Sequence, residues 1–229
     1  YLSQHPSIIK SAYDELGYFD SNYDLGLNWY KSLFPTIFEK KKVEEKNGKF
    51  ITYDVTPFYI YNEKTPQRIH QILPNSKLII ILRNPVDRSY SNYFLGNREK
   101  KFEEIIEDEK KILNKIDKNN IDEYYNFVHT SMLARGFYAE QLENWYKIFP
   151  KDQILIIKSE EFATETNKIM NNIFDFLGLP HYNIPDNSKK NKLHYEVMKK
   201  ETRIDLIEFF RPYNEKLYSL IGRNFNWEN

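Results

Sequence analysis

The sequence predicts an α/β protein: an open parallel sheet flanked by helices on both faces. Three observations lead there. Lys77 to Leu82 and Gln153 to Ile157 each hold an unbroken apolar run of strand length, the pattern of parallel strands covered on both sides. Segments with apolar residues at helical spacing lie around and between them. Strands alternating with helices imply parallel pairing through crossover connections.

Taken in order, Tyr1 to His5 reads as the tail of a helix, and Gly26 to Phe34 as a helix stopped by Pro35. Glu39 to Lys49, rich in lysine and glutamate, reads as an exposed loop or a frayed helix end. Phe50 to Val55 alternates and is β-branched, so a strand is expected. Thr65 to Leu73 follows as a short helix with Thr65 as N-cap and Pro66 at N1. The Lys77–Leu82 strand stops at Arg83-Asn84-Pro85, and a helix starts at Pro85. Beyond it the sequence predicts a helix over Phe137 to Phe149, then the Gln153–Ile157 strand. A helix from Thr166 to Leu177 is closed by Gly178, and Asn183 to Leu193 forms a polar, lysine-rich loop. Glu201 to Ile221 is helical with a break near Pro212.

The 229 residues, 41% hydrophobic and 29% charged, suit one domain spanning 1–229. Thirty-three basic residues balance thirty-three acidic ones, so no general polyanion-binding surface and no nucleic-acid partner is expected. An anion site must come from local placement. The absence of cysteine excludes structural disulfides and thiolate metal sites. No apolar run reaches the roughly 18–20 residues of a membrane span. A cytoplasmic protein is therefore expected.

Local placement is found after the Lys77–Leu82 strand. Ligands of open α/β sheets bind beyond the carboxyl ends of the strands, and Arg83 stands there. Asn84 is a natural N-cap and Pro85 a natural N1, so free N–H groups and the positive end of the helix dipole are expected to face the same crevice. At about 100° per residue, Val86, Tyr90, Tyr93 and Phe94 fall on one side of the helix, facing the sheet. Asn84, Arg88 and Ser91 fall together on the other. Arg88 and Ser91 suit a phosphate oxygen; equally, Arg88 pairs with a carboxylate and Ser91 is solvated.

Leu82-Arg83-Asn84-Pro85-Val86-Asp87-Arg88-Ser89-Tyr90-Ser91-Asn92-Tyr93 resembles the 3′-phosphate motif of the carbohydrate-type sulfotransferases, the group that includes the heparan sulfate enzymes. The resemblance continues through Asn22 to Tyr30, Arg135-Gly136-Phe137-Tyr138, Phe174 to Pro180 and Arg211-Pro212-Tyr213-Asn214. It implies a P-loop NTPase-like fold and sulfuryl transfer from 3′-phosphoadenosine 5′-phosphosulfate to a glycan or other small acceptor. No metal is implied. Arg83 and Ser91 then hold the 3′-phosphate, with Arg88 beside them. Lys189, Lys190 and Lys192 lie where relatives place a basic loop over the nucleotide.

The family's catalytic glutamate maps onto Glu15, within Asp14-Glu15-Leu16-Gly17-Tyr18-Phe19-Asp20. Asp54, Thr56 and Tyr59 correspond to a segment lining the acceptor cleft, and Tyr18, Phe19 and Tyr59 are candidates for stacking on sugar rings; strand-end capping and core packing are their other uses. Asp14 stands where the family has a lysine, which puts negative charge beside the base. The family's glycine-rich loop with Lys and Gly-Thr-Thr does not occur in these residues. By family order it and the first strand belong just before Tyr1, and the expectation is that the sequence starts after them. The alternatives are a non-catalytic nucleotide-binding module retaining only the 3′-phosphate site, and a P-loop kinase. The kinase is disfavoured by the lack of a Gly-Lys-Ser/Thr loop.

Overall fold

The computed structural model describes residues 1–96, 99–185 and 196–228. In chain order, the first elements are β1 (Ile8–Lys10), α1 (Gly26–Ser32), α2 (Ile37–Asn47), β2 (Ile51–Tyr53), α3 (Thr65–Ile72), β3 (Leu78–Leu82) and α4 (Pro85–Tyr93). Then come α5 (Phe102–Leu113), α6 (Ile121–Thr130), α7 (Tyr138–Tyr146), β4 (Ile154–Lys158), α8 (Ser159–Thr164), α9 (Thr166–Leu177) and α10 (Lys200–Ile221). Among the described residues, no helix is long and apolar enough to cross a membrane.

The architecture is α/β, as expected. β1 and β2 pair in parallel, with Ile8 opposite Ile51 and Lys10 opposite Tyr53. β3 pairs with β4. The strands described thus form two pairs, and that changes the surroundings of β3. It is half-buried at 78–80, Ile81 is 51% exposed, and only Leu82 is buried. A strand with a single paired neighbour lacks the cover of a central one.

The chain gathers into two compact units. One comprises Tyr1–Ile80, Ile148–Ile157 and Glu161–Lys189; the other comprises Ile81–Lys147, Lys158–Glu160 and Lys190–Asn229. In the first, α9 buries Ile169, Met170, Ile173 and Phe174 against Ile8 of β1, Ile157 of β4, Leu179 and Ile184. These four α9 positions recur every three to four residues, which is what makes one helical face apolar. Gly178, at φ 66°, ends α9, and Lys49 Nζ donates to the carbonyls of Leu177 (2.7 Å) and Gly178 (3.0 Å). A cation is thus placed on the negative end of the helix.

In the second unit, α10 buries Thr202, Leu206, Phe210, Asn214 and Leu217. Phe137 stacks on Tyr213 at 3.9 Å between centroids, and an Arg203–Asp87 ion pair ties α10 to α4. α10 runs through Pro212 without the expected break, because buried side chains on either side of it hold one continuous face.

Three other details differ from the sequence expectation. α2 is a regular helix, opened by a capping box in which Thr36 Oγ1 accepts from the Glu39 amide and Glu39 Oε2 accepts from the Thr36 amide. Lys64, not Thr65, is the N-cap of α3; the Thr65 hydroxyl is buried and donates to the Phe19 carbonyl. α5 and α6 were not expected.

Candidate functional site

In the second unit the N-terminus of α4 is built as the sequence implied. Asn84 Oδ1 accepts from the Val86 amide at 3.0 Å, and Pro85 opens the helix. Not every early amide, however, is open to an anion: that of Val86 is spent on this cap. The Asn84 N–H donates to Glu160 Oε1 at 2.8 Å, and Pro85 has no N–H to offer. These partners leave fewer amides at the helix start for an anion.

Those side chains separate into two groups. Arg83 and Ser91 are half-buried, while Arg88 donates to the Met132 carbonyl inside the unit. The buried positions of α4 are Pro85, Val86 and Ser89, with Ser89 Oγ donating to the Val86 carbonyl at 2.8 Å. Tyr90 and Tyr93 are half-buried and meet Phe102 edge-on, and Phe94 is exposed. The helix is therefore turned so that Ser89, not Tyr90, points inward.

Two groups missed by sequence reasoning support Arg83. The Tyr138 hydroxyl donates to the Arg83 carbonyl at 2.9 Å, and burial pushes its pKa up to about 12, so it stays a donor. Glu160 also approaches Trp227 Nε1 at 3.4 Å. Tyr138 lies within the Arg135–Tyr138 motif, which was a usable signal. Glu160 lies in no recognisable pattern.

In the first unit, Glu15 is exposed and has φ of 58°. A side chain in this left-handed region costs about 1–3 kcal/mol and persists only where the surroundings impose it. Here they do. The amide of Glu15 donates to the Val55 carbonyl at 2.7 Å, that of Gly17 to Thr56 Oγ1 at 3.2 Å, and that of Phe19 to Tyr59 Oη at 3.2 Å. From the other side, Arg68 Nη1 donates to the carbonyls of Phe19 (3.0 Å) and Asp20 (3.2 Å).

Asp54 anchors the receiving hydroxyls. Its carboxylate accepts from Thr56 (2.9 Å), Tyr59 (2.8 Å) and Tyr30 (3.4 Å). Desolvation raises the pKa of Asp54, and the three hydroxyl donors oppose that rise. Asp54, Thr56 and Tyr59 therefore work together beneath the Glu15 loop.

Tyr18 and Phe19 are inside the unit, each 2% exposed. Tyr18 stacks on Tyr30 at 4.4 Å, and Phe19 meets Tyr30 and Tyr59 edge-on. Tyr59 is buried as well. An aromatic cluster with no open face cannot receive a sugar ring, so stacking is not the use of these three rings; they pack the core below the loop. Lys189, Lys190 and Lys192 lie outside the described residues.

Comparison with known proteins gives the family of the chain. A profile of the sulfotransferase domain matches residues 4–211. The membrane-associated sulfotransferase kil1 of Dictyostelium discoideum is 28% identical over 302 aligned residues, covering all of this chain and 63% of that protein. Heparan sulfate glucosamine 3-O-sulfotransferase 5 of Homo sapiens is 29% identical over 255, covering 99% of this chain and 68% of that protein. The chain thus spans about two thirds of the length of these relatives. A crystal structure of a sulfotransferase from Alicyclobacillus acidocaldarius superposes with a TM-score of 0.71 at 27% identity, covering all of this chain and 92% of that one.

Proposed function

The chain belongs to the sulfotransferase domain family, and from that premise we propose that it acts as one domain that moves a sulfuryl group from 3′-phosphoadenosine 5′-phosphosulfate to a hydroxyl or amine of an acceptor. Likeness to heparan sulfate enzymes supports a glycan as that acceptor. The observation that carries the reading is the Arg83–Ser91 pair, both half-buried, with Arg83 directly after β3 and Ser91 on α4. The Arg83 guanidinium and the Ser91 hydroxyl suit the 3′-phosphate, through charge-assisted hydrogen bonds.

The nucleotide supplies an activated sulfuryl group. Glu15 supplies the base. As the acceptor oxygen or nitrogen bonds to sulfur, its proton passes to the Glu15 carboxylate; the bond from sulfur to the phosphate oxygen breaks, and adenosine 3′,5′-bisphosphate leaves. The imposed backbone of the Glu15 loop supports this role, because a base must be held in position to be useful. Calorimetry with adenosine 3′,5′-bisphosphate tests the donor half. Arg83→Ala should lose roughly 1.5–3 kcal/mol of binding and Ser91→Ala somewhat less. Unchanged affinity in Arg83→Ala would sink the assignment.

Exposed Asp14 beside Glu15 favours a second reading, a nucleotide-binding module without turnover. Binding of the bisphosphate without sulfuryl transfer would select it. Asp14→Lys should raise turnover or tighten donor binding under the first reading only.

A further inference from the structure

The peptide unit that joins Arg83 to Asn84 is tied at both of its polar atoms. Its carbonyl oxygen accepts from the Tyr138 hydroxyl at 2.9 Å, and its N–H donates to Glu160 Oε1 at 2.8 Å. A peptide unit is planar, so bonds on its two opposite edges fix its orientation. Fixing that plane fixes the backbone from which the Arg83 side chain extends.

Trp227 joins the two ties. Its indole Nε1–H donates to Glu160 Oε2 at 3.4 Å, its carbonyl accepts from Asn84 Nδ2 at 3.3 Å, and its ring meets that of Tyr138 at 5.9 Å between centroids. Trp227 is buried and is held in turn. Tyr218 Oη accepts its amide at 3.1 Å, and two residues earlier the Phe225 carbonyl accepts from Lys158 Nζ at 2.6 Å. Glu160 therefore has one oxygen on the Arg83 turn and the other on Trp227, all within the second unit. Asn84 and Trp227 are both buried, and a carboxylate meets two such donors because each of its oxygens accepts.

We propose that Glu160 and Trp227 are positioning residues for Arg83, and that they set the preference of the donor site for a nucleotide carrying a 3′-phosphate. Neither side chain has to touch the nucleotide. Hydrogen bonds from a guanidinium weaken steeply when misaligned, so a turn free to rotate keeps its charge and loses its discrimination. The inference rests on the sulfotransferase reading above and concerns only how Arg83 is held.

The test is calorimetry of the full chain with adenosine 3′,5′-bisphosphate and with adenosine 5′-phosphate, which lacks the group proposed to meet Arg83. Glu160→Gln keeps the size of the side chain but leaves one acceptor oxygen for two donors. It should weaken the bisphosphate about five- to tenfold and leave adenosine 5′-phosphate unchanged. Trp227→Phe keeps a buried ring and removes the indole N–H. It should act in the same direction by about threefold, and it tests the link even where Glu160→Gln fails to fold. In an Arg83→Ala background neither substitution should lower bisphosphate affinity further, because effects passed through one residue do not add. Equal weakening of both nucleotides, an undiminished preference for the bisphosphate in a folded variant, or losses that add to that of Arg83→Ala overturns the positioning role. A wild-type chain with no preference for the bisphosphate overturns the reading of the donor site instead.

Discussion

Tyr59 Oη donates to Asp54 Oδ2 at 2.8 Å and accepts the Phe19 amide at 3.2 Å. One hydroxyl thus passes the position of a half-buried carboxylate to the loop that carries Glu15. Thr56 does the same for Gly17, with its hydroxyl donating to Asp54 Oδ1 at 2.9 Å and accepting the Gly17 amide at 3.2 Å. Two parallel links of this kind explain how an exposed glutamate keeps a left-handed backbone.

Tyr59→Phe should therefore cost stability and turnover together. It leaves the Phe19 amide and the Asp54 carboxylate each one partner short, a loss of about 1–3 kcal/mol in denaturant unfolding. Affinity for adenosine 3′,5′-bisphosphate should stay at the wild-type value, because its proposed contacts are Arg83 and Ser91. Wild-type stability in this variant would mean that the link carries no load.

Two substitutions at Glu15 separate chemistry from backbone. Glu15→Gln should lower turnover by about 10²–10⁴-fold with nucleotide affinity intact. Glu15→Gly removes the same carboxylate but also relieves the φ of 58°, so it should be equally inactive while gaining up to about 1 kcal/mol of stability. Turnover within a few-fold of wild type in Glu15→Gln would make Glu15 a surface acid.

Gly136→Ala should disturb the Arg83 turn from within the same unit. A methyl there would lie 2.7 Å from Phe210 Cε1 and 2.9 Å from Pro85 Cβ. Overpacking of this kind costs about 1–3 kcal/mol. Since Pro85 opens α4, weaker binding of adenosine 3′,5′-bisphosphate should accompany the drop in melting temperature; a loss of stability alone would show that the turn relaxes without moving Arg83.

Alkaline titration should be cooperative. Burial pushes the pKa of Tyr30, Tyr59 and Tyr124 upward, with Asp54 beside the first two and Glu140 beside the third adding to the rise. A tyrosine with a raised folded pKa contributes stability that is fully present below its unfolded value of about 10 and is lost as pH rises above it. Part of the tyrosinate absorbance should therefore appear only as the helical circular dichroism is lost. Complete ionisation with the fold intact would contradict the burial of these phenols.

Much of the framework was legible because it depends on neighbours in sequence. The apolar run of β3, the Asn84-Pro85 start of α4 and the glycine that ends α9 each state a local preference that nothing distant opposes. The capping box Thr36–Glu39 was equally local, and the lysine-rich composition around it hid the signal. Arg83 and Ser91 stood out by their place after the strand and on one helix face, but their use as phosphate contacts, and Glu15 altogether, came from the family resemblance, since a lone glutamate carries no local sign of its use.

By itself, then, the sequence determined the α/β class, most of the elements and the candidate residues. Tertiary structure alone decided what each polar group is spent on. Glu160 reaches the Asn84 amide across 76 positions, Arg88 turns to the Met132 carbonyl, and Tyr59 and Asp54 hold a loop some forty residues earlier. Hydrogen-bond partners are fixed by where the packed chain leaves a donor facing an acceptor away from water. That pairing depends on distances between residues far apart in the chain, which no local pattern encodes.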